Sequence, residues 1–146
     1  MRQQLGALGA AERHQFVGTF KRYGFKTDYG HAKPTLLLVD VTLLPDQWLT
    51  DHAWFNLTKG FATLGQLQSG DQVQFNGRVA RYQKGYRGHN FERRQAAPLR
   101  WDYKIERPTK VQLVDATLQR PPLPTTQFEL LQMIAQATET TRYLPW

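Results

Sequence analysis

The sequence predicts an all-β protein, a small five-stranded β-barrel or sandwich followed by a C-terminal α-helix. Two observations lead to this prediction: five runs of alternating apolar side chains are separated by turn residues, and a helical periodicity appears only after residue 120. A chain of 146 residues is the size of one domain. We expect a barrel domain over 1–120, with a short extension at 1–13. A proline-rich linker and a helix over 121–146 would then pack on the barrel or on a partner.

The first two runs have the alternation of half-buried strands. In HQFVGTFKRYGFK, one face carries Phe16, Gly18 and Phe20. The opposite face carries Lys21 and Tyr23. The second run, TLLLVDVTLL, is the most apolar, and its expected inward side chains are Leu37, Val39, Val41 and Leu43.

The next three runs complete the predicted sheet. In HAWFNLTKGF, Trp54 alternates with the apolar set and is expected to point outward, although a slip of one residue would bury it. In WDYKIERPTKVQLV, Pro108 marks an edge or a bulge because proline cannot donate to a strand ladder. In GDQVQFNGRV, the expected inward side chains are Val73, Phe75, Gly77 and Val79.

A helix is predicted after the linker RPPLPTT. Thr126 and Glu129 form a T-x-x-E capping box, which indicates a helix over roughly residues 127–141. A helix with one apolar stripe is expected to dock on an apolar surface. The expected stripe consists of Phe128, Leu131, Ile134 and Ala135.

The phrase L-x-x-G-D-x-V-x-F-x-G-x-V, from Leu67 to Val79, resembles the corresponding part of OB-fold proteins. With the five short strands, the resemblance covers roughly residues 14–115. It implies a five-stranded barrel that binds single-stranded nucleic acid across its second and third strands. The loops between strands 1 and 2 and between strands 4 and 5 would close over the ligand. Those loops would be KTDYGHAK and QKGYRGHNFERRQAAPLR, and both are basic and contain aromatic residues.

The positive charge is concentrated in one segment. The formal net charge is +7, and residues 71–110 hold 10 Lys and Arg against 4 Asp and Glu. A concentrated basic field favours nucleic acid or another anionic partner. The alternative is that the positive charge serves only to keep the protein soluble. Tyrosines lie between these cations. Since cations neutralise phosphates and rings stack on bases, the pattern predicts binding of single-stranded DNA or RNA with low sequence specificity.

The predicted binding surface lies on the first and third strands and on the segment beyond Val79. Trp54 is the expected central stacking platform. Tyr82 and Tyr86 would stack further bases, unless they form a cross-strand pair that stabilises a long hairpin. The predicted nucleic-acid-binding residues are Lys21, Tyr23, Lys26, Trp54, Arg78, Arg81, Tyr82, Lys84, Tyr86, Arg87, Phe91, Arg93 and Arg94.

Motifs of catalysis are missing from the sequence. The four histidines are widely spaced, and the chain contains no phosphate-binding glycine loop, no G-x-S-x-G and no H-E-x-x-H. We therefore expect a non-enzymatic protein without a metal or a cofactor. Two other functions stay open: an interaction or regulatory module of a phage- or plasmid-type system, possibly homo-oligomeric, and a barrel that binds a small anionic ligand.

Composition also bears on location. Without cysteine the chain forms neither disulfides nor thiolate sites, which suits a reducing interior. The sequence shows no signal-peptide apolar region and no run near the roughly 20 apolar residues of a membrane span. We expect a cytoplasmic protein without a membrane partner.

Overall fold

Five antiparallel strands form one sheet in the computed structural model. It describes residues 13–84 and 100–141, with the side chains of residues 28, 81–84, 100–103 and 138–141 excepted. The elements are β1 (Arg13–Asp28), β2 (His31–Leu43), β3 (Gln47–Asn56), α1 (Lys59–Ala62), β4 (Gln72–Lys84), β5 (Arg100–Leu113) and α2 (Gln127–Thr141). The predicted β-rich chain with a C-terminal helix is confirmed.

The strand order is β3-β2-β1-β4-β5. Three consecutive strands form hairpins, and β4 returns beside β1, which is the Greek-key arrangement. β3 and β5 are therefore the edge strands, and the described residues show no pairing between them. The sheet is open along these two edges.

The core is built around aromatic rings. Phe61, on α1, lies with its ring centroid 5.7 Å from that of Phe55 and 6.0 Å from that of Phe75. On β4, the expected inward side chains are all buried, so the predicted phase of that strand is confirmed. A Cβ added to Gly77 would lie 2.5 Å from Cγ2 of Ile105, so glycine is what allows β5 to pack this closely.

A bulge in β1 reverses the predicted phase of its second half. β1 has one more residue than β2 between Phe20 and Arg22, and an extra residue turns all later side chains to the opposite face. Tyr23 is consequently in the core, 7 % exposed. Its hydroxyl donates to the Gly65 carbonyl at 3.1 Å and accepts from the Leu67 amide at 2.9 Å. Burial raises the pKa of Tyr23, and the predicted position of this residue on the face opposite Phe16 and Phe20 is wrong.

The phase of β2 also differs from the prediction. Leu36 and Leu38 belong to the core, whereas Leu37, expected inward, is buried outside the core cluster. The register shifts again between Val39 and Thr42, where Asp40 has a φ of 50°. The shift returns Val41 to the core, as predicted. A strand that is apolar on both faces does not reveal its phase by alternation alone.

The connection between β1 and β2 is shorter than expected. The predicted eight-residue loop is mostly strand, and only Tyr29 and Gly30 form the turn. Both have positive φ, 50° and 78°, which matches the twist of a tight two-residue hairpin. Lys26 and Lys33 are consequently held directly opposite each other in the ladder.

Helix α2 begins where the capping box predicts. The Glu129 amide donates to the Thr126 hydroxyl at 3.3 Å. The helix contacts β1 and β2, with Ile134 fully buried in the core cluster. The predicted stripe is rotated, because Phe128 is 76 % exposed and Ala135 is exposed, while Leu130 and Met133 pack against the core.

The linker before α2 is held against the connector between α1 and β4. Arg120 donates two hydrogen bonds to the Asp71 carboxylate, at 2.6 and 2.9 Å, and these bonds hold the pKa of Asp71 below its usual value. The backbone amide of Gln66 donates to the Pro121 carbonyl at 2.7 Å. The linker path is therefore defined by polar contacts as well as by its prolines.

Candidate nucleic-acid interface

A cleft of about 450 Å³ lies between the two edge strands, and we call it the edge cleft. The end of β3 contributes Trp54, Phe55 and Asn56, followed by Thr58. The residues of β5 from Lys104 to Pro108 form the facing wall, and Lys26 comes from the end of β1. The open edges of the sheet thus face each other across a space that a ligand can enter.

The charge of the edge cleft is net positive. Lys26, Lys104 and Arg107 supply three cations, and Glu106 supplies the single carboxylate. Arg107 has a φ of 52° at a point where β5 contains one residue more than β4. This bulge bends the strand beside the cleft. A concave site lined by a cationic excess and an aromatic ring suits a planar anionic ligand.

The indole of Trp54 lies across the sheet rather than away from it. The side chain is 42 % exposed, as the predicted outward orientation requires. A Cβ added to Gly24 would lie 2.9 Å from Cζ3 and 3.0 Å from Cη2 of the ring. Because β2 separates β3 from β1, the ring must extend over β2 to come this close. Leu37, directly opposite Trp54 in the β2–β3 register, is fully buried beneath this arrangement.

Arg22 completes the arrangement around this indole. Its Cζ lies over the indole, 5.0 Å from the ring centroid. Arg22, Leu37 and Trp54 are in register across β1, β2 and β3, and we call these three residues the indole row. The bulge in β1 places Arg22 there, and strict alternation from Phe16 does not predict it.

A second row crosses β1, β4 and β5. Arg13, Arg78 and Glu106 are in register, and we call them the arginine row. The Arg13 guanidinium donates to the Asn76 carbonyl at 3.3 Å, to the Arg107 carbonyl at 2.5 Å and to the Thr109 hydroxyl at 2.9 Å. Arg78 is half-buried, and its Nε has no hydrogen-bond partner among the described residues. Arg13 is therefore occupied by hydrogen bonds within the sheet.

The structure brings only some of the predicted site residues together. Lys26 and Trp54 both line the edge cleft, while Arg78 lies in the arginine row and Lys21 is half-buried at the β1 bulge. For Arg81, Tyr82 and Lys84 the backbone lies in β4, but their side chains are outside the described set. Tyr86, Arg87, Phe91, Arg93 and Arg94 lie outside the described residues.

Comparison with known proteins assigns no family. Neither a protein-family model, nor a curated protein, nor a solved structure matches the chain. Within residues 13–84 and 100–141, no cluster of His, Asp and Glu side chains is suited to hold a metal ion. Over the same ranges, no helix has the length and apolar character needed to cross a membrane. The edge cleft and the indole row are thus the features from which a function is inferred.

Sequence reasoning missed three components of this surface. Alternation without the β1 bulge places Arg22 on the inward face, so it was not predicted. Lys104 and Arg107 were visible in the sequence as cations close to Ile105 in the fifth run. Alternation around Ile105 places Lys104 on the opposite face. What the sequence did not show is that β5 faces β3, because the two runs lie far apart in the chain.

Proposed function

We propose that the protein binds single-stranded DNA or RNA with low sequence specificity, without catalysis and in the cytoplasm. The observation that carries this proposal is the half-exposed Trp54 at a cleft that also contains Lys26, Lys104 and Arg107. A ring beside cations matches the two parts of a nucleotide: an unpaired base has a face for stacking, and its phosphate has a charge to neutralise.

Each part of the surface has a distinct energetic role. Stacking contributes about 1 to 3 kcal/mol per base and tolerates any base, which accounts for low sequence preference. The cations act by releasing counterions from the phosphates, which makes affinity depend on salt. Double-stranded DNA does not offer its base faces, so we expect it to bind more weakly.

The fold is part of the proposal. We infer that the open sheet is an OB-type barrel whose edge strands approach without pairing. The Greek-key order and the edge cleft between β3 and β5 support this inference. In a partly open barrel of this type the ligand crosses the second and third strands. Trp54, on β3, lies where such a ligand would pass.

The β4–β5 hairpin remains part of the proposed contact surface. Its sequence contains further cations and aromatic residues, in addition to those of the edge cleft. Replacing Tyr82 and Tyr86 together by Ala should weaken binding and leave the thermal midpoint nearly unchanged. The proposed hairpin contacts are Arg78, Arg81, Tyr82, Lys84, Tyr86, Arg87, Phe91, Arg93 and Arg94.

Titration with fluorescent oligonucleotides at several salt concentrations tests the proposal. For a single strand, three neutralised phosphates give a slope of about −2 in a plot of log affinity against log salt, and hairpin cations would make it steeper. Ribo-oligomers and double-stranded controls of equal length separate RNA, DNA and duplex binding. A flat salt dependence, or no binding at low salt, would contradict the proposal.

A protein-interaction module is the second candidate function. The observation that favours it is Phe128, which leaves a large apolar ring exposed on the first turn of α2. Mass measured by size-exclusion chromatography with light scattering discriminates the two. A dimer that forms without oligonucleotide and is lost on Phe128→Ser would favour this candidate.

A further inference from the structure

We infer that the Arg22 guanidinium, held against the indole of Trp54, is a second stacking surface for a nucleobase beside that ring. The guanidinium over the indole then forms a cationic stacking platform that selects anions carrying a planar base over polyanions without rings. This inference rests on the proposed nucleic-acid binding, and it adds a residue that the sequence did not indicate. It also specifies what the site recognises, namely one base with its phosphate.

The surroundings of the Trp54 ring lead to this inference. The ring lies close to Gly24, and the fully buried Leu37 is opposite Trp54 in the β2–β3 register. The Arg22 guanidinium lies over the ring, 5.0 Å from its centroid. The guanidinium and the half-exposed indole therefore form one continuous surface in which a planar cation lies against a planar ring. The exposed part of the indole is left as a wall of the edge cleft.

The chemistry of arginine suits this position. A guanidinium is planar and weakly hydrated, and it stacks on aromatic rings and on nucleobases alike. A lysine ammonium carries the same charge but is compact, strongly hydrated and without a plane. The platform thus depends on the shape of Arg22, whereas a simple phosphate contact would depend only on its charge.

The cations of the edge cleft complete the recognition of one nucleotide. Arg22 and Lys26 are four residues apart on β1 with no register shift between them, so they share a face about 13 Å apart. Lys26 also lines the cleft that holds Lys104 and Arg107. A base on Arg22 therefore has its backbone directed toward these cations.

The decisive measurement compares two ligands on matched variants. One ligand is a single-stranded oligonucleotide of mixed sequence, and the other is an abasic strand with the same number of phosphates. The wild-type protein should bind the base-containing strand about tenfold more tightly. Arg22→Lys should lower this ratio to about threefold, because the indole still offers a stacking face after the guanidinium plane is lost. The control Lys26→Gln should weaken both ligands alike and keep the ratio.

A second variant separates the planar shape of the Arg22 side chain from its charge. Arg22→Gln retains a planar amide without charge, so it should keep most of the base preference and reduce the salt dependence. The thermal midpoint of every variant is measured. If Arg22→Lys does not fold, Arg22→Ala replaces it, because it removes the plane and the charge together, and an undiminished ratio in Arg22→Ala would overturn the inference.

The possible results distinguish the inference from the proposed function. A wild-type protein that binds both strands equally would leave phosphate binding intact and overturn the platform. An undiminished ratio in Arg22→Lys would also overturn it. If the wild type binds neither strand at low salt, the proposed function fails and the platform fails with it.

Discussion

The indole row and the arginine row both begin with an arginine of β1, yet they have different surroundings. In the indole row, Arg22 lies over the half-exposed Trp54 beside the edge cleft. In the arginine row, Arg13 donates three hydrogen bonds within the sheet, and Arg78 is half-buried next to Glu106. One row has its cation on an aromatic ring, whereas in the other Arg13 is held by hydrogen bonds within the sheet.

This difference teaches that the density of charge along a sequence does not show what surrounds each cation in the fold. Residues 71–110 contain most of the positive excess, but Arg78 from that segment is in the row without an aromatic ring. The indole row has one cation and comes from the segment of lower charge. The fold, rather than the local density of charge, decides which cation lies beside an aromatic ring.

Removing the ring of the indole row should produce the largest change in binding. Trp54→Ala deletes the support for Arg22 and a wall of the edge cleft, so oligonucleotide affinity should fall about tenfold. Fluorescence anisotropy measures this change. Trp48→Ala is the matched control, because Trp48 is similarly exposed on β3 but does not line the cleft. Equal losses in both variants would show that the indole row has no special role.

Removing Arg13 from the arginine row should lower stability rather than affinity. Arg13→Ala removes the three hydrogen bonds that link β1 to β4 and β5. We expect a loss of about 1 kcal/mol in the free energy of unfolding, measured by urea denaturation. Lys59→Ala, which removes a cation from the surface of α1, serves as the control for charge. A tenfold loss of affinity with unchanged stability would assign ligand binding to the arginine row.

Shifting the indole without deleting it should give the smallest effect. In Gly24→Ala the new Cβ would lie 2.9 Å from the Trp54 ring, so the ring must move. We expect an altered near-ultraviolet circular dichroism spectrum and an affinity lower by roughly threefold, a fraction of one stacking interaction. In the control Gly60→Ala, the nearest atom is Val111 Cγ2 at an ordinary 3.4 Å. Identical spectra and affinities for both variants would contradict the position of the Trp54 indole against Gly24.

Much of the fold was predictable from local patterns. Phe75 and Val79 are buried because alternation on β4 is regular and opposes polar neighbours, and α2 begins at Thr126 because a capping box acts within one turn. The errors at Tyr23 and Leu37 have one cause. In each strand a bulge shifts the alternation by one residue, and in β2, which is apolar on both faces, the sequence gives no sign of the shift.

The candidate site was predictable only in part. Trp54 was predicted from its outward position on the third strand, and Lys26 was predicted from its charge. Both residues line the edge cleft. The pairing of Arg22 with Trp54 depends on the β1 bulge and on a ring that crosses β2 to reach Gly24. The contribution of β5 depends on the closeness of two edge strands that are distant in the chain.

Periodicity, capping and turn residues act over a few neighbours, and this is why the β-rich class, the C-terminal helix and the basic, cysteine-free character can be read from the residues directly. The phase after each bulge, the cation over Trp54 and the meeting of β3 with β5 arise from contacts between distant segments. Packing selects these features because burial of Tyr23 and Leu36 in one core outweighs strict alternation along each strand.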